Sequence, residues 1–169
     1  MLSSGYSLLL IVGLFISIYV VNYGYLLIKN HPKSKSPYKI DKVELMNNVM
    51  GSILIIFGVL KLFNLDKFVD IFSKYDLLSK NYKPYGYLYP FLEIILGVSF
   101  LSKTHLKSSY IATIILMILS LIGVTNSIIQ GQQLRCGCLG AFLHIPLSYV
   151  TISENMVMLI MSVILLIDK

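Results

Sequence analysis

The chain has 169 residues, 56% of them hydrophobic and only 13% charged, with a mean hydropathy of +0.78, where a soluble domain carries about a quarter charged residues. This composition excludes an ordinary soluble globular protein, a disordered chain and, with two cysteines, a disulfide-dense secreted scaffold. The net charge of +6 comes from thirteen Lys, one Arg and eight acids, and since the Lys are scattered over loops with no basic stripe, it argues for membrane topology and against nucleic acid as a partner.

Apolar runs at 6–28, 44–63, 84–101, 108–129 and 155–167 predict five membrane spans, because about 20 residues rising about 1.5 Å each cross a hydrocarbon core of about 30 Å. The last run is the shortest and must borrow from 151–154 or from its C-terminal end. The first is too long for a secretory signal, lacks a basic start and is followed by a Lys-rich flank, so it reads as a retained anchor. Lipid excludes exposed strand edges, and no run alternates with period two. The expected fold class is therefore all-α: a polytopic membrane helix bundle, with a four-helix core plus one extra N-terminal transmembrane helix. The expected division is an anchor and Lys-rich cytoplasmic loop at 1–43 and a four-helix membrane domain at 44–169.

The loops set the expected orientation. Lys29, Lys33, Lys35, Lys39, Lys42, Lys103, Lys107 and Lys169 fall on one side, eight in all. Lys67, Lys74, Lys80, Lys83 and Arg135 fall on the other. Basic residues favour the cytoplasmic side. The N-terminus and the fourth loop are then outside and the C-terminus inside, in a bacterial cytoplasmic membrane. Tyr82, Tyr85, Tyr87 and Tyr89 gather where the third span begins, the headgroup level that amphipathic rings favour.

Small and polar residues recur at helical spacing: Gly51, Gly58 and Lys61; Gly86, Pro90, Glu93 and Gly97; Ser120, Gly123, Ser127 and Gly131; and, in the first span, Gly13, Ser17 and Gly24. Such stripes let neighbouring helices approach closely. Lys61 and Glu93 are the charges well inside predicted spans. An intramembrane charge costs about 2.5 to 3.5 kcal/mol on the insertion scale, so each must face protein or water. Their depths differ by about 7 Å, which a Lys side chain can largely close, so the two are expected to pair. The alternative has Lys61 snorkelling outward and Glu93 protonated in a polar pocket.

The fourth loop, 130–153, carries both cysteines of the chain, Cys136 and Cys138. Three chemistries use such a pair. A Cys-x-Cys disulfide closes a small, distorted and hence reducible ring; Gly137 supplies the bend, Gly140 loosens the next turn, and Arg135 favours thiolate, the exchanging species. A copper or zinc site would use the same two thiolates with His144 and soft neighbours such as Met156 or Met158. The third reading is a fixed structural crosslink or two inert thiols.

Gly58-Val59-Leu60-Lys61, Tyr89-Pro90-Phe91-Leu92-Glu93-Ile94-Ile95-Leu96-Gly97, Gly131, Cys136-Gly137-Cys138-Leu139-Gly140, Leu147-Ser148 and Asn155, in that order, resemble the MauE branch of the DoxX-like membrane proteins. The resemblance covers about 44–167, with Leu139 where the family usually has an aromatic. It implies a four-helix membrane core with a role in disulfide chemistry outside the cytoplasmic membrane, as in maturation of disulfide-rich methylamine dehydrogenase. With Cys136 and Cys138 as exchanging residues, one Cys pair cannot relay electrons between thiols on both membrane faces. The expected partner beside the lipid bilayer is thus a thioredoxin-like extracytoplasmic protein or a disulfide-containing client, with a lipid quinone as a candidate cofactor. The alternative is a non-catalytic membrane scaffold or a copper- or zinc-binding protein.

Overall fold

A computed structural model describes the backbone of residues 4–30, 41–130 and 147–167, and the side chains of 12–28, 41–130 and 151–167. Among these the chain is all-α: α1 (Ser4–Asn30), α2 (Lys42–Leu62), α3 (Leu65–Tyr75), α4 (Lys83–Ser102), α5 (Leu106–Ile129) and α6 (Leu147–Ile167). Helices α2, α4 and α5 are long and apolar enough to cross a membrane; the described apolar stretches of α1 and α6 are shorter, Val12–Ile28 and Thr151–Ile167. Apolar side chains cover the outer faces, as lipid requires: Ile95, Val98, Ile115, Ile160 and Val20 are all exposed.

Two pairs build the bundle, α2 with α4 and α5 with α6. The α2–α4 seam follows from the glycines. A Cβ built at Gly97 would lie 2.8 Å from the Gly51 carbonyl oxygen, and one built at Gly51 would lie 2.8 Å from that of Gly97. Seven residues along, a Cβ at Gly58 would meet the Pro90 carbonyl oxygen at 3.0 Å. The backbones touch at two points two turns apart, so the helices run antiparallel, with Ile55, Ile94 and Leu101 packed over the glycines. Pro90 is carried within α4 and faces this seam, buried. In the other pair, Asn155 Nδ2 on α6 donates to Ser120 Oγ on α5 at 2.8 Å, both buried.

The first helix differs from expectation in how it packs. Around Gly13 and Gly24 a Cβ would meet nothing within 4 Å, so that small-residue stripe is not a packing face. Ile18 and Leu26 are buried instead, Leu14 and Phe15 pack on the core, and Asn22 Nδ2 bonds Ser52 Oγ on α2 at 3.2 Å. Large side chains on the opposite stripe reach the bundle, while glycine facing lipid costs little.

Helix α3 lies in what reads as a plain loop between the second and third spans. Phe68, Val69, Phe72 and Tyr75 recur at three- and four-residue spacing and are buried, while Asp66, Lys67, Asp70 and Lys74 are exposed. One turn further, Asp76 accepts bonds from the backbone N–H groups of Leu78 (3.0 Å) and Ser79 (2.7 Å). Gly123 of α5 lies beneath this turn; a Cβ there would sit 2.6 Å from the Tyr75 carbonyl oxygen. On this stripe Gly123 thus accommodates the end of α3, while Ser120 meets α6.

Candidate functional site

Helix α3 covers the end of the bundle at which α2 and α5 finish and α4 and α6 begin. Beneath it is a cavity about the size of one water molecule, lined by Phe68, Phe72 and Tyr75 from α3, Lys61, Tyr89 and Ser120 from α2, α4 and α5, and Thr151, Glu154 and Asn155 from α6. Glu154 is seven residues into α6 and Ser120 nine residues before the end of α5. The cavity therefore sits about 10 to 14 Å below those helix ends.

Lys61 pairs directly with Glu93, and both are buried. The pairing expected from their depths is what the structure has, with Lys61 turning inward rather than snorkelling to the interface. Its ammonium also lies 5.1 Å from the Tyr89 ring centroid and 5.7 Å from that of Phe68. A desolvated cation gains from such faces. The aromatic wall is continuous, with Phe72 and Tyr89 centroids 4.6 Å apart and Phe68 and Phe72 at 5.0 Å.

Tyr89 departs from the expected interfacial girdle. Tyr82 and Tyr87 are exposed, Tyr85 is partly buried, but Tyr89 is buried at the ion pair. At helical spacing only some members of a tyrosine run can face the headgroups; Tyr89, four after Tyr85, falls on the inward face with Glu93.

Glu154 is the site residue that sequence reasoning missed. Only 2% exposed, it lines the cavity, and among the described residues no hydrogen-bond partner reaches its Oε1. The fifth apolar run begins at 155 and must borrow from 151–154 or from its C-terminal end, which gives Glu154 no role of its own; α6 begins at Leu147 and carries Glu154 inside. Outside the spans, Asp76 is also buried, and burial pushes its carboxyl above the ordinary carboxylate range against the two backbone N–H groups that favour the charged form.

Cys136, Cys138, Arg135, Gly137, Gly140 and His144 all lie outside the described residues. In sequence they fall between α5 and α6, and α5 ends and α6 begins at the α3-covered end of the bundle. Of the soft neighbours considered for a metal, Met156 is exposed on the outer face of α6 and Met158 is fully buried in the core. Among the described residues there is no cluster of three or more His, Cys, Asp and Glu side chains suited to a metal ion. The cavity has room for about one water molecule and none for the head group of a lipid quinone.

No curated protein and no solved structure matches the chain. The family described as Methylamine utilisation protein MauE matches it over residues 42–168, from the start of α2 through α6, leaving α1 outside. With three helices long and apolar enough to span a bilayer and a match over most of its length, this multi-pass membrane protein belongs to the MauE family, which is linked to methylamine utilisation.

Proposed function

We propose that this protein exchanges disulfides with an extracytoplasmic redox partner or client through Cys136 and Cys138. The observation that carries this reading is the placement of both cysteines of the chain two residues apart, beside Arg135, in the one segment that joins α5 to α6. A thiolate of the pair attacks a partner disulfide, the partner's leaving sulfur departs as thiolate, and the second Cys resolves the mixed disulfide. The pair ends oxidised and the partner reduced; the reverse sequence oxidises the partner. Gly137 permits the tight ring, and Arg135 favours the attacking thiolate. The membrane domain anchors the pair at the bilayer surface. Membership of the MauE family supports a client in methylamine utilisation.

The eight-to-five distribution of basic residues supports an outward-facing Cys segment in a bacterial cytoplasmic membrane, an oxidising side where such exchange persists. The test is disulfide trapping in cells. With Cys136→Ser or Cys138→Ser, the remaining thiol should hold a mixed disulfide seen as a heavier, reducible band, and the double variant should lose it. Full function of the double variant would leave the membrane-scaffold reading in its place.

A further inference from the structure

Lys61 on α2 and Glu154 on α6 both line the cavity, and Glu93 on α4 pairs with Lys61, so three groups ordinarily charged at neutral pH gather from three helices. Their exposures are 5%, 1% and 2%. The other titratable side chains near them are the phenols of Tyr75, Tyr85 and Tyr89, uncharged at neutral pH. Asp76, at the end of α3, is not among the residues that line the cavity. Helix α5 contributes the hydroxyl of Ser120, already bonded by Asn155. Fully ionised, the three groups would carry a net charge of minus one in an enclosed, aromatic-walled site. An unbalanced buried charge is strongly unfavourable, and a carboxyl placed there takes up a proton instead.

We propose that Lys61, Glu93 and Glu154 form a one-proton site within the membrane, with the proton carried by Glu154 at the wall of the water-sized cavity. Glu93 holds the ammonium directly, so its charge is balanced. Glu154 has an oxygen with no protein hydrogen-bond partner among the described residues, facing a space that holds about one water. The step is a simple binding equilibrium, carboxylate plus proton giving carboxylic acid, and needs no other reactant. The site stands apart from the cysteine chemistry and does not depend on it.

Infrared spectroscopy of the full-length protein in lipid nanodiscs at neutral pH tests this, reading the C=O stretch of protonated carboxyl groups and its shift in deuterated water. The buried Asp76 is removed from the spectrum by working in an Asp76→Asn background. One protonated carboxyl is expected in that protein and none after Glu154→Gln. Glu93→Gln should also abolish the band, because Glu154, which lines the cavity with Lys61, then ionises to balance it. Lys61→Met should about double the band, since both carboxyls then lose their cation. Helicity and elution profile identify variants that fail to fold, and any single folded variant of the three still discriminates. A band unchanged by Glu154→Gln, or no band in the parent because a cation elsewhere in the chain balances Glu154, would overturn the proposal.

Discussion

The bundle has an ion pair near each end, and the two differ in almost everything except their chemistry. At the covered end, Lys61 and Glu93 are buried beneath α3 with an aromatic wall around the ammonium. At the other, Lys103 Nζ bonds Glu44 Oε1 at 2.6 Å, with side chains 43% and 16% exposed. The exposed pair sits where each charge retains water, so breaking it releases two solvated ions. Breaking the buried pair leaves a group that water cannot solvate and that must find another countercharge or change its protonation inside the bundle. The number of ion pairs therefore says little here; depth decides which one organises the molecule.

That contrast is broken most severely by Lys61→Met, which leaves Glu93 and Glu154 without the buried cation. A loss of about 3 to 5 kcal/mol is expected, as for other buried pairs deprived of a partner, read as a drop in unfolding free energy in detergent. Glu93→Gln should cost less, because Glu154 lines the same cavity and can balance Lys61. The double replacement should cost less than the sum of the two single ones; strict additivity would mean that the pair is not a unit.

The α2–α4 seam ranks next. Gly97→Leu must push a side chain against the Gly51 carbonyl 2.8 Å from its Cβ and should cost about 1 to 3 kcal/mol or more. Gly13→Leu, with open space around it, should stay within about 0.5 kcal/mol of the parent. Equal effects at the two glycines would contradict the assignment of packing faces.

Asp76 sharpens the comparison from outside the spans. Because burial raises its pKa, the protonated form is the one the fold favours. Its contribution is fully present below the ordinary carboxylate value of 3.8 and is lost as pH rises through the raised value. Asp76→Asn keeps an oxygen for the Leu78 and Ser79 N–H groups and should flatten that loss in a stability-versus-pH curve. Asp76→Ala takes the acceptor from those two donors and should cost about 1 to 3 kcal/mol at low pH, and less as pH rises through the raised value. The smallest effect is expected at the open end: Glu44→Gln should change stability by about 1 kcal/mol or less, and less still at high salt.

The same contrast separates what the sequence makes legible from what it hides. Long apolar runs identify α2, α4 and α5, and two intramembrane charges within reach of a Lys side chain identify the Lys61–Glu93 pair. Glu154 escapes because hydropathy averages over all faces of a helix: Thr151 and Glu154 line the cavity with polar groups, which moves the start of the apolar run to 155. Helix α3 escapes for the opposite reason. Its apolar stripe of Phe68, Val69, Phe72 and Tyr75 is present in the sequence, but it is too short to span a bilayer and is interleaved with charges, so only its periodicity marks it as a lid over the bundle end. Gly13 and Gly24 show the converse: residue spacing alone does not distinguish a packing face from one turned away from the bundle.

The central claim, a reversible Cys136–Cys138 pair on the outer side, is tested most directly by its redox state in living cells. Intact cells or spheroplasts are quenched with acid, labelled with a mass-adding thiol reagent before and after reduction, and resolved by gel shift. A membrane-impermeant reagent applied before lysis, after mild reduction, reports the side. The account predicts a mixed population of oxidised and reduced pair, labelled from outside, that shifts toward one form when the thioredoxin-like partner or client is removed. A pair wholly in one form under every condition, or labelled only after permeabilisation, would contradict it.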